Sequence, residues 1–384
     1  MRASRNGYFD LISGRTRGPV AGLLRAGLHG LSLVYGVVVA LRNAWYSTIR
    51  RAALRVRRPV ISIGNLTVGG TGKTPTAVWV ARHLIGRGLR VAILTRGYRP
   101  RPPPDQSPLT SEGGRGSPFG SIQGGRAESD EARLLARLCP EATVIVDSDR
   151  TAAAERAVSG GADVLILDDG FQHRRLARDL DVVLVDATLP LGFGRLLPRG
   201  LLREGPASLR RADLVIVTRS DALDEAGRAG LRADLDRLSG GKPVLACRHR
   251  AAGFVDLRGR PVPEVEADAM QAVLFAGIGR FSAFVRTAEG LGVRVLAAYE
   301  FPDHHEYSAE EVEELPRVAA HLDANVLLTT EKDAVRLAGR WTDAMVPLMA
   351  LRVEVEFAPE DDMMLREAIN RLAPRVDQPD TPNS

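Results

Sequence analysis

The fold of this 384-residue chain is decided by residues 59–75, Pro59-Val-Ile-Ser-Ile-Gly-Asn-Leu-Thr-Val-Gly-Gly-Thr-Gly-Lys-Thr-Pro75. The apolar run from Val60 to Ile63 predicts a buried parallel strand, and a glycine-rich turn follows it. Gly72-Lys73-Thr74 then opens a predicted helix. A strand, a glycine-rich turn and a helix that starts with Lys-Thr form the order of elements in a phosphate-binding loop.

The chemistry of such a loop depends on its backbone as much as on its side chains. Glycines let the chain curl until several N–H groups point at a polyphosphate, and the positive end of the helix adds to this field. Lys73 would reach the β- and γ-phosphates, and the Thr74 hydroxyl would bind Mg²⁺. The residues predicted to bind the nucleotide are Thr67, Val68, Gly69, Gly70, Thr71, Gly72, Lys73 and Thr74.

The loop departs from the general pattern at one position. The pattern has a glycine five residues before Gly72, and Thr67 stands there. A glycine-rich turn that binds no ligand is the plainer alternative. The strand, the other glycines and the Lys-Thr pair are all present, so the sequence favours nucleotide binding.

The composition limits the class of protein. An apolar content of 45% with 38 glycines fits a globular α/β protein with many turns. Two cysteines, Cys139 and Cys247, cannot form a disulfide framework, so we expect a reducing, cytosolic setting. The net charge of +5 and the pI of about 9.5 suit an anionic partner such as a nucleotide, a phospholipid or a nucleic acid.

Strand-like and helix-like segments alternate along the chain after residue 59. This pattern predicts an α/β fold, a P-loop NTPase-type, mostly parallel sheet with helices on both faces, followed by a smaller C-terminal α/β domain. The predicted organisation is an N-terminal basic and apolar region (1–58), a P-loop domain (59–250), a linker (251–271), a C-terminal α/β domain (272–357) and a final helix with a polar tail (358–384).

The N-terminal region carries an apolar segment, Val20 to Tyr46, between two groups of arginines. Its charge-free part between Arg25 and Arg42 is shorter than the roughly 20 residues that a spanning helix needs. No small-residue cleavage site follows, which argues against a signal peptide. We therefore expect a helix that lies in a membrane interface with its arginines on anionic head groups. A core helix of a soluble protein is the alternative.

Two further segments carry polar groups where an α/β sheet places its ligands. Val164 to Leu167 predicts a strand that runs into Asp168 and Asp169, and a P-loop enzyme holds Mg²⁺ with an aspartate at such a position. Asp303-His304-His305 also follows a predicted strand but lacks a third ligand at zinc spacing, so we do not interpret it as a metal site. Acid and histidines at a strand's carboxyl end make it a candidate for general-base chemistry. A helix-capping loop and a surface histidine pair are the alternatives.

Together these residues resemble a known family, the tetraacyldisaccharide 4'-kinases, which phosphorylate the lipid A disaccharide precursor. The resemblance extends from the apolar helix to about residue 357, and Thr67 agrees with the loop pattern of this family. Its marks are Gly64-Asn65-Leu66-Thr67-Val68-Gly69-Gly70-Thr71-Gly72-Lys73-Thr74-Pro75, Arg96-Gly97-Tyr98, Asp130-Glu131, Asp168-Asp169-Gly170-Phe171-Gln172-His173, Asp303-His304-His305 and Thr330-Glu331-Lys332-Asp333. The stretch 99–127, rich in proline and glycine, differs from the family pattern.

The resemblance implies a kinase that uses ATP and Mg²⁺ and acts on an acylated disaccharide at the cytoplasmic face of the bacterial inner membrane. It implies Asp130 as catalytic base with a histidine partner, His304 or His305, of which we expect His304. The expected metal ligands are Thr74, Asp168 and Asp169. The residues expected around the acceptor or the γ-phosphate are Glu131, Gln172, His173 and Arg203.

Two rival functions fit parts of the sequence. A membrane-associated switch ATPase also joins such a loop to a membrane helix, but it often carries a lysine where this chain has Val68. A nucleic-acid-binding protein would fit the basic pI, yet the sequence has no aromatic-basic RNA motif and no zinc knuckle. We expect no nucleic acid partner. The sequence leaves open the oligomeric state, the acyl chains of the substrate and which aspartate binds the metal.

Overall fold

The computed structural model describes residues 7–48, 53–97, 122–123, 129–262, 269–341 and 346–372. Tyr98, nearly all of the stretch 99–127 and the polar tail after residue 372 lie outside the described residues. So do residues 263–268 of the predicted linker and the arginines at positions 2, 5, 50 and 51.

Strands and helices alternate through most of the described chain. The strands are β1 (Val60–Asn65), β2 (Val91–Thr95), β3 (Ile122–Gln123), β4 (Thr143–Val146), β5 (Val164–Asp168), β6 (Leu180–Asp186), β7 (Leu214–Thr218), β8 (Val244–Val255), β9 (Gln271–Ala276), β10 (Arg294–Glu300), β11 (Val326–Thr330) and β12 (Leu348–Phe357). The helices are α1 (Gly7–Ser13), α2 (Pro19–Thr48), α3 (Lys73–Ile85), α4 (Asp130–Leu138), α5 (Arg150–Ser159), α6 (Glu225–Ser239), α7 (Phe281–Gly290), α8 (Ala309–His321), α9 (Glu331–Leu337) and α10 (Pro359–Asn370).

All twelve strands belong to one sheet, in the order β10-β9-β11-β12-β8-β7-β6-β1-β5-β2-β4-β3. Every described pairing between these strands is parallel except that of β8 with β12. Buried side chains lie on both faces, since Val60 and Ile61 of β1 enter different apolar clusters. The expected mostly parallel sheet with helices on both faces is confirmed.

The antiparallel pair makes two sets of strand ends face each other. The end of β7 is level with Ala246 of β8, and the end of β11 is level with Leu351 of β12, which pairs with Phe254. Because β12 reverses the direction of the second half, the carboxyl ends of both halves point toward the middle of β8. The gap is about 25 Å along an extended strand. Ligands of open α/β sheets bind at carboxyl ends, so this gap is the place for a site.

The end of the chain returns to the first half of the sheet. Val355 and Phe357 of β12 join the apolar cluster of α3, and so do Leu365 and Ile369 of α10. The Asp361 carboxylate accepts a hydrogen bond of 2.9 Å from the backbone N–H of Ala246. Residues 251–255 of the predicted linker are the last part of β8. The division of the chain into separate domains stays a prediction.

Helix α2 lies on the outside of the first half. Ser32, Tyr35 and Asn43 on one side of it form hydrogen bonds to the segment 196–204. Its large apolar residues are exposed, namely Val20, Leu23, Leu24, Leu31, Leu33, Val34, Val37, Val38, Leu41 and Trp45. With 30 residues, α2 is long and apolar enough to cross a membrane, judged by length and composition alone. The short charge-free part between Arg25 and Arg42, which predicts a helix in the membrane interface, therefore does not exclude a membrane-spanning helix.

The packing of α10 is testable by substitution. Leu365 is fully buried, so Leu365→Ala should lower the free energy of unfolding by about 2–5 kcal/mol in urea denaturation. Met364 precedes it and is 42% exposed, so Met364→Ala serves as the control and should change stability by less than about 1 kcal/mol. Equal effects of the two variants would contradict the packing of α10.

Candidate active site

The glycine-rich loop is held closed by Asn65, the last residue of β1. Its side-chain amide donates to the carbonyl of Thr67 at 2.7 Å and to the hydroxyl of Thr71 at 2.8 Å. The far side of the loop is fixed from β7, where the Thr218 hydroxyl donates to the carbonyl of Thr71 at 3.0 Å. The arc of the loop is therefore set by the strands before any ligand binds.

The loop ends at a helix terminus without a side-chain cap. Gly72 precedes α3, with φ +87°, and no side chain among the described residues caps this end. A Cβ on Gly72 would lie 2.8 Å from Nε2 of His249, so both backbone conformation and space require glycine. An uncapped helix N-terminus is a favourable place for a phosphate.

Lys73 takes part in a chain of charges across the loop. Its Nζ lies 3.6 Å from a carboxylate oxygen of Asp169, and Arg203 donates to both oxygens of that carboxylate at 2.9 Å. Burial raises the pKa of Asp169, but Lys73 and Arg203 outweigh burial and hold that pKa below its ordinary value. Arg203 also donates to the Gln172 side chain at 3.3 Å. The structure thus brings the predicted residues Lys73, Asp169, Arg203 and Gln172 together.

Asp168, the last residue of β5, is in a different environment from Asp169. It is 3% exposed, and its Oδ1 has no hydrogen-bond partner among the described residues. Burial, reinforced by the charges of Glu131 and Asp169, raises the pKa of Asp168 to about 7. An orphaned buried carboxylate oxygen beside a phosphate loop is suited to a cation.

The facing edge of the sheet contributes His304 and its neighbours. Lys332 Nζ lies 3.1 Å from His304 Nε2 and 3.1 Å from a carboxylate oxygen of Asp303. Arg336 of α9 lies 3.2 Å from His304 Nδ1, and it donates to Asp130 of α4 at 2.6 Å. Burial, followed by the charge of Lys332, lowers the pKa of His304, so its imidazole is neutral at neutral pH.

The two adjacent histidines have different surroundings. His304 borders the central cavity, whereas His305 bonds to Glu311 of α8 at 2.8 Å and stacks on Phe301 at 4.8 Å. The adjacent acids also differ: among the described residues, Glu131 borders the cavity, and Asp130 lies behind it against Arg336. Asp130 and His304 therefore meet through a guanidinium.

The cavity between the two edges has a volume of about 2230 Å³. The loop residues 68–74 line it from the first half, and residues 278–284 line it from the second. His173 also borders it, and burial together with the charge of Arg150 lowers the pKa of His173 to about 4. Tyr35, Val38 and Val39 of α2 form part of its wall, so the cavity continues from the phosphate loop to the apolar helix.

Sequence reasoning missed several arginines and one histidine that line this cavity or lie beside it. Arg336 follows Asp333 by one helical turn, and Arg150 donates to the backbone carbonyls of Asp147 and Asp168. Arg219 follows the end of β7 and donates to the carbonyl of Gly70, and His249 of β8 lies against Gly72 of the loop. The rule that ligands lie at the ends of parallel strands would have pointed to Arg219. The other contacts depend on how distant elements pack.

Comparison with known proteins gives concordant results. The model of the family "Tetraacyldisaccharide-1-P 4'-kinase" matches residues 24–372. The tetraacyldisaccharide 4'-kinase of Anaeromyxobacter dehalogenans (strain 2CP-C) is 42% identical over 322 residues, 83% of each chain. That of Anaeromyxobacter sp. (strain K) is 40% identical over 365 residues, 94% of each chain. A crystal structure of LpxK from Aquifex aeolicus in complex with ATP is 29% identical, with a TM-score of 0.69, and the match covers 91% of this chain and 100% of that one.

The buried imidazole behind the loop predicts a pH effect on stability. Burial, followed by the charge of Arg219, lowers the pKa of His249 to about 3, so below about pH 6.5 the unfolded chain takes up a proton that the folded chain does not. Because of this group, the free energy of unfolding therefore falls by up to about 2 kcal/mol as the pH drops from 6.5 to 5.

Removing the imidazole should remove this loss. His249→Gln should show a smaller drop in the free energy of unfolding between pH 7 and pH 5 than the unmodified protein, measured by urea denaturation at each pH. His321→Gln, at an exposed position, is the control and should keep the original drop. An unchanged drop in His249→Gln would contradict the assignment.

Proposed function

Because the chain belongs to the tetraacyldisaccharide-1-phosphate 4'-kinase family, we propose that it transfers the γ-phosphate of ATP to the 4'-hydroxyl of an acylated disaccharide 1-phosphate. One observation about the molecule carries this proposal: a single cavity joins the phosphate loop, the His304 edge and the apolar helix α2. A kinase for a lipid needs all three in contact, whereas a switch ATPase needs no acceptor cavity.

The nucleotide would bind with its phosphates in the loop 67–74. The N–H groups at the uncapped start of α3 and the Lys73 ammonium are the donors for the β- and γ-phosphates. Lys73 is held by Asp169 until a phosphate competes for it. Arg203 lies on the other side of Asp169 and adds a second positive charge beside the transferred group.

A Mg²⁺ ion fits the donors on this side of the cavity. Asp168 supplies a buried carboxylate oxygen that has no hydrogen-bond partner in the described part of the chain, and Asp169 is the next residue. We expect these carboxylates and the Thr74 hydroxyl, together with phosphate oxygens, to hold the ion. Among the described residues no group of three or more His, Cys, Asp or Glu could bind a metal without the nucleotide. When bound, Mg²⁺ neutralises charge on the phosphates.

The acceptor hydroxyl needs a base, because a sugar hydroxyl is a poor nucleophile. Asp130 is the proposed base; it is the first residue of α4, next to Glu131 of the cavity wall, and its carboxylate pairs with Arg336. His304 is neutral and would act on the base through the guanidinium of Arg336, which lies between them. Glu131, Gln172 and His173 border the cavity and would contact the acceptor sugar.

The acyl chains would lie along α2. Its exposed apolar side chains face away from the sheet, while Tyr35, Val38 and Val39 reach the cavity wall. An anionic membrane surface would attract the arginines that flank the helix. Because ATP is a cytosolic substrate, we place the enzyme on the cytoplasmic face of the inner membrane. In this arrangement the sugar of the lipid enters the site while its acyl chains stay in an apolar environment along α2.

The experiment that tests the function measures transfer of ³²P from [γ-³²P]ATP to a tetraacyldisaccharide 1-phosphate in detergent with Mg²⁺. We expect label in the lipid. Asp130→Asn should lower kcat by on the order of 10² with little change in ATP binding, the usual scale for a positioned base. The adjacent Glu131→Gln is the comparison and should raise the KM for the lipid more than it lowers kcat. ATP hydrolysis without lipid labelling would favour the switch ATPase.

The membrane role of α2 is tested separately. Leu31, Val34 and Leu41 share its exposed face and, unlike Val38, do not line the cavity. Replacing all three by Gln should weaken co-sedimentation with phosphatidylglycerol-containing vesicles at least tenfold, because apolar area drives insertion. Leu322→Gln, Met363→Gln and Met364→Gln, at exposed positions elsewhere, form the control. Equal vesicle binding by both triple variants would contradict the role of α2.

A further inference from the structure

The guanidinium of Arg336 occupies the centre of the contact between the two edges of the cavity. Its Nε donates to the Asp130 carboxylate at 2.6 Å, and its Nη2 lies 3.2 Å from Nδ1 of His304. Its Nη1 donates to the carbonyl of Gly277 at 3.2 Å. The Arg336 side chain is only 6% exposed, so these contacts are shielded from water and stronger than surface pairs.

Arg336 is itself held rigidly. The Asp333 carboxylate accepts from its Nη1 at 2.8 Å and is fully buried. The other oxygen of Asp333 accepts from the Thr330 hydroxyl at 2.6 Å, and Thr330 caps the start of α9. A guanidinium fixed by a buried carboxylate and a helix cap can serve as a reference point for other side chains, because its planar fork has few alternative positions.

The contact also spans the two halves of the sheet. Asp130 starts α4 in the first half, whereas Arg336 and His304 follow β11 and β10 in the second. No backbone hydrogen bond joins α4 to α9 among the described residues. The side chain of Arg336 therefore sets how the Asp130 carboxylate is oriented relative to His304.

We infer that Arg336 is a positioning residue for phosphoryl transfer: it aims the Asp130 carboxylate and holds His304 beside it. The inference rests on the proposed function, in which Asp130 is the base. A base must be held within a few tenths of an ångström of its productive position, and small displacements cost large factors in rate. Arg336 acts through Asp130 and touches no reacting atom.

The charged groups around His304 lead to a second expected effect of replacing Arg336. Lys332 and Arg336 face its ring nitrogens, and Asp303 and Glu131 are the acidic groups near it. Both cations oppose protonation of the imidazole. Removing the Arg336 guanidinium should therefore raise the pKa of His304, an effect that a purely mechanical brace between α4 and α9 would not require.

A series of three variants tests the inference. Arg336→Met removes the guanidinium and keeps an apolar stem, Arg336→Lys keeps a cation, and Arg340→Met makes the same change at an exposed arginine just after α9. In the lipid-labelling assay, Arg336→Met should lower kcat by on the order of 10² and leave the KM for ATP within about threefold. Arg336→Lys should retain more activity, and Arg340→Met should behave as the unmodified protein.

A double-mutant cycle with Asp130→Asn separates this inference from the proposed function. If Arg336 acts through Asp130, the double variant should be no slower than Asp130→Asn alone. If instead the loss of kcat in the double variant is the product of the losses in the two single variants, the inference is overturned and the base assignment stays intact. Full activity of Asp130→Asn would instead remove the base assignment itself, whatever Arg336→Met does.

An NMR titration gives a readout that does not depend on turnover. The His304 ring signals, assigned with His304→Gln, should titrate at higher pH in Arg336→Met than in the unmodified protein. If Arg336→Met does not fold, the same comparison is made in Arg336→Lys, where a displaced cation should shift the titration by a smaller amount. An unshifted titration with normal kcat in either folded variant would refute the positioning role.

Discussion

The antiparallel pairing of β8 with β12 is the constraint on which the rest of the structure depends. Had β12 run parallel to β8, the carboxyl ends of β9, β10 and β11 would lie on the same edge as the phosphate loop, side by side with it. Reversal turns them to face the loop across the middle of β8. Two sets of ligand-bearing strand ends then enclose one cavity, where a single sheet edge would offer an open groove. A hydroxyl acceptor and a polyphosphate can thus be approached from opposite sides.

A chain of hydrogen bonds and ion pairs connects this cavity to the apolar helix α2. Tyr35 of α2 donates to the carbonyl of Arg203, and Arg203 in turn binds Asp169 beside Lys73. Asn43, about two turns further along the same side of α2, donates to the buried Glu204. The helix that would meet the membrane is therefore bonded to the segment that shapes the phosphate site.

Two buried ionisable groups, Asp168 and His249, lower the stability of the fold when no ligand is bound, because burial disfavours their charged forms. Burial raises the pKa of Asp168 to about 7 and lowers that of His249 to about 3, and both lie beside the phosphate loop. A protein selected for stability alone would place apolar side chains at such positions. Clustering of these groups at one cavity is what binding of a charged nucleotide and its cation would require.

The sequence by itself determined the fold class and the order of elements around the loop. Hydrophobic runs predict β1 and β5, and the prediction of the loop 67–74 with Asp168 and Asp169 follows from motifs whose residues lie close together in the chain. Helix α4, from Asp130 to Leu138, begins where its acidic first turn predicts. Only the tertiary structure decided that Arg336 stands between Asp130 and His304, that His305 bonds to Glu311, and that β8 extends into the predicted linker as far as Val255. Local patterns report backbone preference and burial, whereas the contacts of Arg336 join residues far apart in the chain, and only the packing of the two halves of the sheet brings these residues together.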